Sequence, residues 1–422
     1  MSVASKVFDT EAALRVRGAS WTPPGLSLSA LELAFPLAPG SEPIPWKSST
    51  PTKIFAAARA ALSPDELIAV NVDVQIAATT ALARYPEIES IEIERPFIVV
   101  GMPRSGTTHL VNLLAADPRR RALPYWESRD PLPLPGQGPD AFGTDPRYTA
   151  AKAEHEAMMV SAPHTAALHD RFPEAIEEEC ELQDLDFSAY VLEWHARVPG
   201  WRDFYLGLDQ TRHYGYTKKV LQALTFLRGP RTWVLKSPQH SEQLTALMAT
   251  FPDATVAFTH RDPVAVIQSA ATMMAYSDRL RRTSIDPDWL IDYWTDRVHR
   301  LLSAGVRDRD LVPADRSVDI SFHHLNGNEL AVLGDLYARA GVELTPRVTK
   351  AFQTYLDGNP RGKHGRVRYD LRKHFGVTPQ DVRARFEFGL RCAYAHGTRA
   401  IRTHLDSIPP QDGISWPLSA RT

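Results

Sequence analysis

Eight consecutive residues, Gly101-Met102-Pro103-Arg104-Ser105-Gly106-Thr107-Thr108, have the types and spacing of an anion cradle. Two glycines with four residues between them let backbone N–H groups converge on a negative charge. A helix beginning at Thr107 would aim its positive dipole end at the same point. Arg104 adds a charge-assisted donor, and Ser105, Gly106, Thr107 and Thr108 are the further candidate contacts. A loop for ATP or GTP would continue Gly-Lys-Ser/Thr, with the lysine on the terminal phosphates. Here Thr107 follows Gly106. The segment therefore reads as a site for a phosphate or sulfate group without ordinary nucleotide hydrolysis.

Three other segments carry candidate anion ligands. In Phe258-Thr259-His260-Arg261-Asp262-Pro263, Asp262 is placed to cap a helix and Pro263 to open it. Arg261 would then stand at the carboxyl end of a strand, where ligands of open α/β sheets bind, with Ser269 in the helix that follows. Asp262 resembles an acidic magnesium ligand, but its place before Pro263 favours the cap. Asn359 to Tyr369 gathers Arg361, Lys363, His364, Arg366 and Arg368 around Gly362 and Gly365. Glycines allow close backbone approach and the cations add charge; a solvated basic loop is the other reading of this segment taken alone. In Trp233-Val234-Leu235-Lys236-Ser237-Pro238, Lys236 ends a strand, where it can supply the cation the glycine loop lacks.

These positions require strands feeding loops and helices. Phe97–Val100 is a continuous apolar run, the pattern of a strand buried on both faces. Further strands are expected at Thr232–Leu235, Thr255–Thr259 and Val318–Phe322, alternating with helical segments. Leu110, Leu113 and Leu114 share a helix face that ends at Asp117-Pro118. Residues 123–145 read as a Pro- and Gly-rich loop, 147–228 as helical, and 63–85 as a helix opening at Ser63-Pro64. The fold class expected is α/β: three layers of P-loop type around a parallel sheet of about four to five strands. An N-terminal arm with a helical extension over 1–92 precedes it, and residues 123–228 form a helical insert.

Bulk properties set limits. The 422 residues are 43% hydrophobic and 23% charged, a globular composition. Lys+Arg 48 against Asp+Glu 50 gives a net charge of −2, so no general basic field draws the chain to nucleic acid, and an anion site must be local. Two cysteines make neither a disulfide framework nor a cysteine-based zinc site. Met1–Asp9 lacks the apolar core of a secretory signal, and no run reaches bilayer-spanning length. A cytoplasmic location is the expectation.

Taken together, the four segments resemble sulfotransferases that use 3′-phosphoadenosine 5′-phosphosulfate (PAPS). The likeness covers roughly 93–390 and is similar to a bacterial branch with an N-terminal helical extension, whose site motifs are related to those of tyrosylprotein sulfotransferases. It implies that Gly101–Thr108 holds the 5′-phosphosulfate and that Arg261 and Ser269 hold the 3′-phosphate. It implies that Lys363, His364, Gly365 and Arg366 close over the same phosphate, and that no metal is needed. Two departures stand out. In the cytosolic small-molecule branch the lysine is followed by Thr and a catalytic His, whereas Lys236 is followed by Ser237 and Pro238. His364 stands where Lys is typical.

Transfer to an alcohol requires a base for the acceptor proton. In the tyrosylprotein-like branch a Glu soon after the first helix serves, and Glu127 in Tyr125-Trp126-Glu127-Ser128 occupies that place. The resemblance thus implies Glu127 as base and Lys236 on the leaving phosphate. His164, His169 and the run Glu177-Glu178-Glu179 are runners-up, the run reading more as a solvated helix face. Trp194, Trp201, Phe204 and Tyr205 line either an apolar pocket or the core. The acceptor class implied is a small, hydrophobic hydroxyl compound. The alternatives are a degenerate P-loop NTPase or kinase, and a nucleotide-binding protein without catalysis. Oligomeric state is left open.

Overall fold

The computed structural model describes residues 85–132, 145–169, 171–184, 188–281, 284–363, 365 and 367–385. Most of the expected arm over 1–92, including the helix proposed for 63–85, lies outside them, as do His364 and Arg366.

In chain order the elements begin with β1 (Phe97–Gly101), α1 (Thr107–Ala115), β2 (Arg120–Arg121) and α2 (Tyr125–Arg129). Six helices follow: α3 (Pro146–Ser161), α4 (Thr165–Leu168), α5 (Cys180–Asp184), α6 (Leu192–His195), α7 (Pro199–Leu206) and α8 (Thr211–Arg228). Then come β3 (Thr232–Lys236), α9 (Leu244–Thr250), β4 (Thr255–His260), α10 (Pro263–Arg281), α11 (Pro287–Asp308) and β5 (Ser317–Ser321). The last helices are α12 (Phe322–Leu325), α13 (Glu329–Arg339), α14 (Pro346–Gly358) and α15 (Leu371–Phe375).

The five strands form one parallel sheet in the order β2-β3-β1-β4-β5. Alternation along β1 sends Ile98 and Val100 to one face, against Leu221 and Leu224 of α8 and Leu244 and Leu247 of α9. Phe97 and Val99 go to the other face, against Leu110 and Leu114 of α1, Leu333 and Leu336 of α13 and Phe352 of α14. Every residue of β1 is buried, as its unbroken apolar run requires. Helices therefore cover both faces, and the expected three-layer P-loop-type α/β architecture is the one observed.

Two local expectations change. The described residues of 147–228 break into six helices, several of a single turn, and α2 lies buried inside the stretch read as loop. The two-residue β2 has no apolar signature because it is built of arginines. The Arg120 guanidinium lies 3.8 Å from the Phe97 ring centre and that of Arg121 4.8 Å from Trp233, so aromatic faces cover what looks like a polar pair.

Parallel strands put all their carboxyl ends on one edge. Register aligns Gly101 with Thr259, and Val99 with Lys236. The glycine loop, Lys236 and Arg261 therefore emerge side by side. Gly101 has no room for a side chain: a Cβ there would stand 2.1 Å from Thr259 Oγ1 and 2.8 Å from the Thr259 carbonyl oxygen. The backbone oxygen cannot swing aside. Gly101→Ala is expected to cost about 3 kcal/mol, the upper range for overpacking, read as a lowered midpoint of urea unfolding.

Candidate active site

The loop between β1 and α1 is shaped by left-handed backbone. Gly106, at φ 95°, is the N-cap of α1, and Arg104 sits at φ 67°. That region strains a residue with a Cβ by about 1–3 kcal/mol. Three bonds hold Arg104 there: its carbonyl accepts from Arg261 Nη1 at 2.6 Å, its Nε donates to Ser269 Oγ at 3.0 Å, and its Nη1 donates to the Leu168 carbonyl at 2.6 Å. Ser105 is buried, and its hydroxyl donates to the Met102 carbonyl at 2.6 Å and shares a 2.7 Å bond with Thr259 Oγ1. Ser105 thus ties the loop to β4. Thr107 is buried and Thr108 exposed in the first turn of α1, which holds no acidic side chain. An anion at this helix end meets N–H groups and no opposing carboxylate from the helix.

Lys236 approaches the same turn from β3. It is fully buried, with Nζ 2.6 Å from Glu178 Oε1 and 3.4 Å from Thr108 Oγ1. Burial alone would lower its pKa. The carboxylates of Glu178 and Glu177 outweigh that and raise it above the ordinary lysine value, so the group stays cationic. The charge absent from the loop sequence is delivered by the neighbouring strand.

The three consecutive glutamates have different fates. Glu177 is buried against His169 Nε2 at 3.0 Å and Arg171 Nε at 3.4 Å. Burial would raise its pKa, but His169 and Arg171 hold it far below the carboxylate range. Both Glu179 oxygens accept from the Lys236 backbone N–H, at 2.5 and 2.9 Å. Only Glu178 keeps some exposure, 16% of its side chain. The run is therefore not a solvated face: two members are structural anchors, and the one between them is presented beside Lys236.

A second basic cluster lies at the carboxyl end of β4. Arg261 packs over the Phe322 ring at 4.3 Å, and Arg361 lies 5.7 Å from the same ring. Ser269 Oγ is 3.0 Å from Tyr369 Oη. Burial, and then the charges of Arg104 and Arg361, hold the Arg261 guanidinium below its usual pKa. The gathered charges of Arg104, Arg261 and Arg361 make this a candidate anion site. Asp262 opposes part of that charge at Arg261, but its own oxygens are engaged: one accepts from the Val264 N–H at 3.0 Å as a cap and the other from Arg383 at 2.9 Å.

A sequence model of the sulfotransferase family matches residues 96–346, more than half of the chain and all of the segment from β1 to β5. The chain belongs to the sulfotransferase family. A relative from Mycobacterium bovis, omega-hydroxy-beta-dihydromenaquinone-9 sulfotransferase Stf3, is 26% identical over 264 residues. That match covers 60% of this chain and 64% of the relative, just under two thirds of its length. A shorter stretch of 60 residues, 14% of the chain, is 52% identical to 13% of a pterin deaminase from Rhizobium rhizogenes. Among solved structures, sulfotransferase STF1 from Mycobacterium tuberculosis superposes with a TM-score of 0.71 at 23% identity, covering 91% of this chain and 98% of that one. Sulfotransferase STF9 from Mycobacterium avium gives 0.73 at 22%, covering 93% and 97%. At such identity the shared property is the fold.

In this member of the sulfotransferase family the remaining sequence candidates fall as follows. Glu127 is buried, and both its oxygens are committed: Oε2 to Arg121 at 2.7 Å and Oε1 to Arg228 at 2.8 Å. Arg228 ends α8 just before β3 begins, so Glu127 is tied to the amino-terminal side of the strand whose carboxyl end carries Lys236. No hydrogen bond or ion pair among the described residues joins Glu127 to Lys236. His169 is held by Glu177, and His164 is exposed beside Tyr276. Lys363 is exposed, and its ammonium donates to the Gly358 carbonyl and Asn359 Oδ1 at the end of α14. Gly365 is exposed at φ 97°. Trp201 and Tyr205 are fully buried, and Trp194 packs 4.0 Å from Trp294 between ring centres, which makes them core. Tyr369 and Phe322 join the second cluster without having been legible in sequence, because an aromatic after a basic loop carries no signal of its own.

Proposed function

We propose that the chain moves a sulfuryl group from PAPS to a hydroxyl of a small hydrophobic acceptor. The observation that carries this reading is the pairing of buried Lys236 with Glu178 beside the glycine loop, next to a separate cationic cluster of Arg104, Arg261, Arg361 and Ser269. PAPS carries phosphate at two places, and two separate cationic sites answer that. ATP, with no 3′-phosphate, gives the second no task. The residues fit the donor. Gly106, Thr107 and Thr108 would hold the 5′-phosphosulfate, and Arg261, Ser269 and the described Lys363 and Gly365, together with His364 and Arg366, would serve the 3′-phosphate. Arg104, whose side chain reaches Ser269, would serve that end rather than the sulfuryl oxygens.

Transfer forms a bond from the acceptor oxygen to sulfur and breaks the bond from sulfur to the bridging oxygen of the 5′-phosphate. Glu178 takes the acceptor proton. The electron pair of the broken bond stays on the bridging oxygen, where the Lys236 ammonium stabilises it, and adenosine 3′,5′-bisphosphate leaves. As Lys236 engages that oxygen it releases Glu178, so base and electrophile are freed together. Positioning and preset charge supply the catalysis. The base is assigned to Glu178 rather than Glu127 because Glu178 stands partly exposed beside Lys236, whereas Glu127 is buried in a pair of arginine salt bridges. The relative's named acceptor, a hydroxylated menaquinone derivative, agrees with the hydrophobic class proposed.

Calorimetry tests the donor. Adenosine 3′,5′-bisphosphate is expected to bind without metal, at least ten-fold tighter than ATP with magnesium; the reverse order sinks the reading in favour of a degenerate P-loop NTPase. A second comparison tests the base. Glu178→Gln is expected to slow transfer by about 10²–10⁴-fold, the usual contribution of a general base. Glu127→Gln should mainly lower the thermal midpoint while the folded enzyme keeps most of its rate.

A further inference from the structure

We infer that Glu179 is a positioning residue for sulfuryl transfer, acting through the backbone of Lys236; the inference rests on the reading of Glu178 and Lys236 as the reacting pair. β2 spans two residues and pairs with Thr232 and Trp233 only. Among the described residues β3 has no strand neighbour on that edge beyond Trp233, and the Glu179 carboxylate stands in for one. It takes the Lys236 N–H with both oxygens and is itself only 1% exposed. A buried carboxylate is kept only where its charge is answered. Besides the N–H, His240 Nε2 faces it at 3.8 Å, and the other ring nitrogen of His240 is held by Tyr214 Oη at 2.8 Å.

The geometric consequence comes from adjacency. Glu178 touches the Lys236 side chain and Glu179 touches its main chain, so two consecutive residues grip one lysine at both ends. The span from base to ammonium is then fixed by a single peptide unit rather than by loop packing. Cys180 extends the grip, its buried thiol donating to the second Glu178 oxygen at 3.4 Å. Displacement of about 1 Å in such a pair is enough to cost about 10²-fold in rate.

The experiment uses the full chain, with labelled PAPS, 1-dodecanol as probe acceptor and transfer to water as an acceptor-independent second readout. Glu179→Gln is expected to lower kcat by at least ten-fold, while the Kd for adenosine 3′,5′-bisphosphate changes less than three-fold. Amide hydrogen exchange should accelerate in the peptide containing Lys236. Glu179→Asp keeps the charge but shortens the reach, so it is expected to recover amide protection in part and kcat in part. If Glu179→Gln is too unstable to assay, the same two readouts on Glu179→Asp decide. A folded variant with wild-type kcat, or a loss of kcat that tracks only the fraction folded with amide protection unchanged, overturns the inference. Glu178→Gln runs alongside: full activity there defeats the underlying reading, whereas its inactivity beside an active Glu179→Gln defeats this inference alone.

Discussion

Lys236→Ala is expected to reduce transfer by about 10³-fold while weakening adenosine 3′,5′-bisphosphate binding by less than ten-fold. The split follows from where the charge acts. In the ground state the ammonium is already satisfied by Glu178 at 2.6 Å, so binding the bisphosphate gains little from it. Negative charge on the bridging oxygen grows only as the sulfuryl group departs, and a preset cation in a dry site then has its full effect. Removing one such donor costs about 10²–10³ in kcat elsewhere, and here the loss also leaves Glu178 without its partner. Lys236→Arg should not rescue. A planar guanidinium does not fit where a compact ammonium sits fully buried between Glu178 and Thr108. Rates and calorimetry on the same preparations check both halves; an unchanged kcat for Lys236→Ala would remove the lysine from the mechanism.

Arg297→Met is expected to have the largest effect on stability, about 3–5 kcal/mol, seen as a lowered urea midpoint. Arg297 lies on α11 with no exposure. Its Nε donates to both Glu193 oxygens at 2.9 Å, and its two terminal nitrogens each donate to a Glu242 oxygen at 2.6 Å. Tyr293 adds a 2.5 Å bond to Glu193. Burial works against the arginine charge, but the two glutamates hold its pKa well above the usual value. Removing it strands two carboxylates in the interior, and that penalty far exceeds the net worth of the intact cluster. Arg297→Met combined with Glu193→Gln and Glu242→Gln should therefore recover part of the loss. If the triple variant is less stable than the single one, the cost does not come from uncompensated charge. Glu242 closes the one-turn helix Pro238–Glu242, which follows directly on Lys236 and Ser237, so the single variant is also expected to lose activity.

The sheet and the anion loop were legible because their signals are local. Phe97 to Thr108 is a strand, a turn and a helix start within twelve residues, and glycine spacing fixes that turn whatever surrounds it. Arg261, Asp262 and Pro263 were legible for the same reason, since a cap and a first-turn proline are set by neighbours in sequence. The strand at Arg120–Arg121 was not, because its polarity is neutralised by Phe97 and Trp233, which are distant in the chain.

The acidic partner of Lys236 shows the limit most clearly. A carboxylate looks the same in sequence whether it is a base, an anchor or a surface charge; what differs is the group it folds against. Glu127 follows the first helix at an inviting distance, yet it meets Arg121 and Arg228 and is consumed by them. Glu178 sits in a run resembling a solvated face and meets Lys236 across 58 residues of chain. Sequence alone determined where two candidate anion sites lie along a parallel sheet, because backbone conformation and capping are decided by nearest neighbours. Only the tertiary structure decided which acid stands beside the lysine, because strand register and burial bring together charges that no local pattern connects.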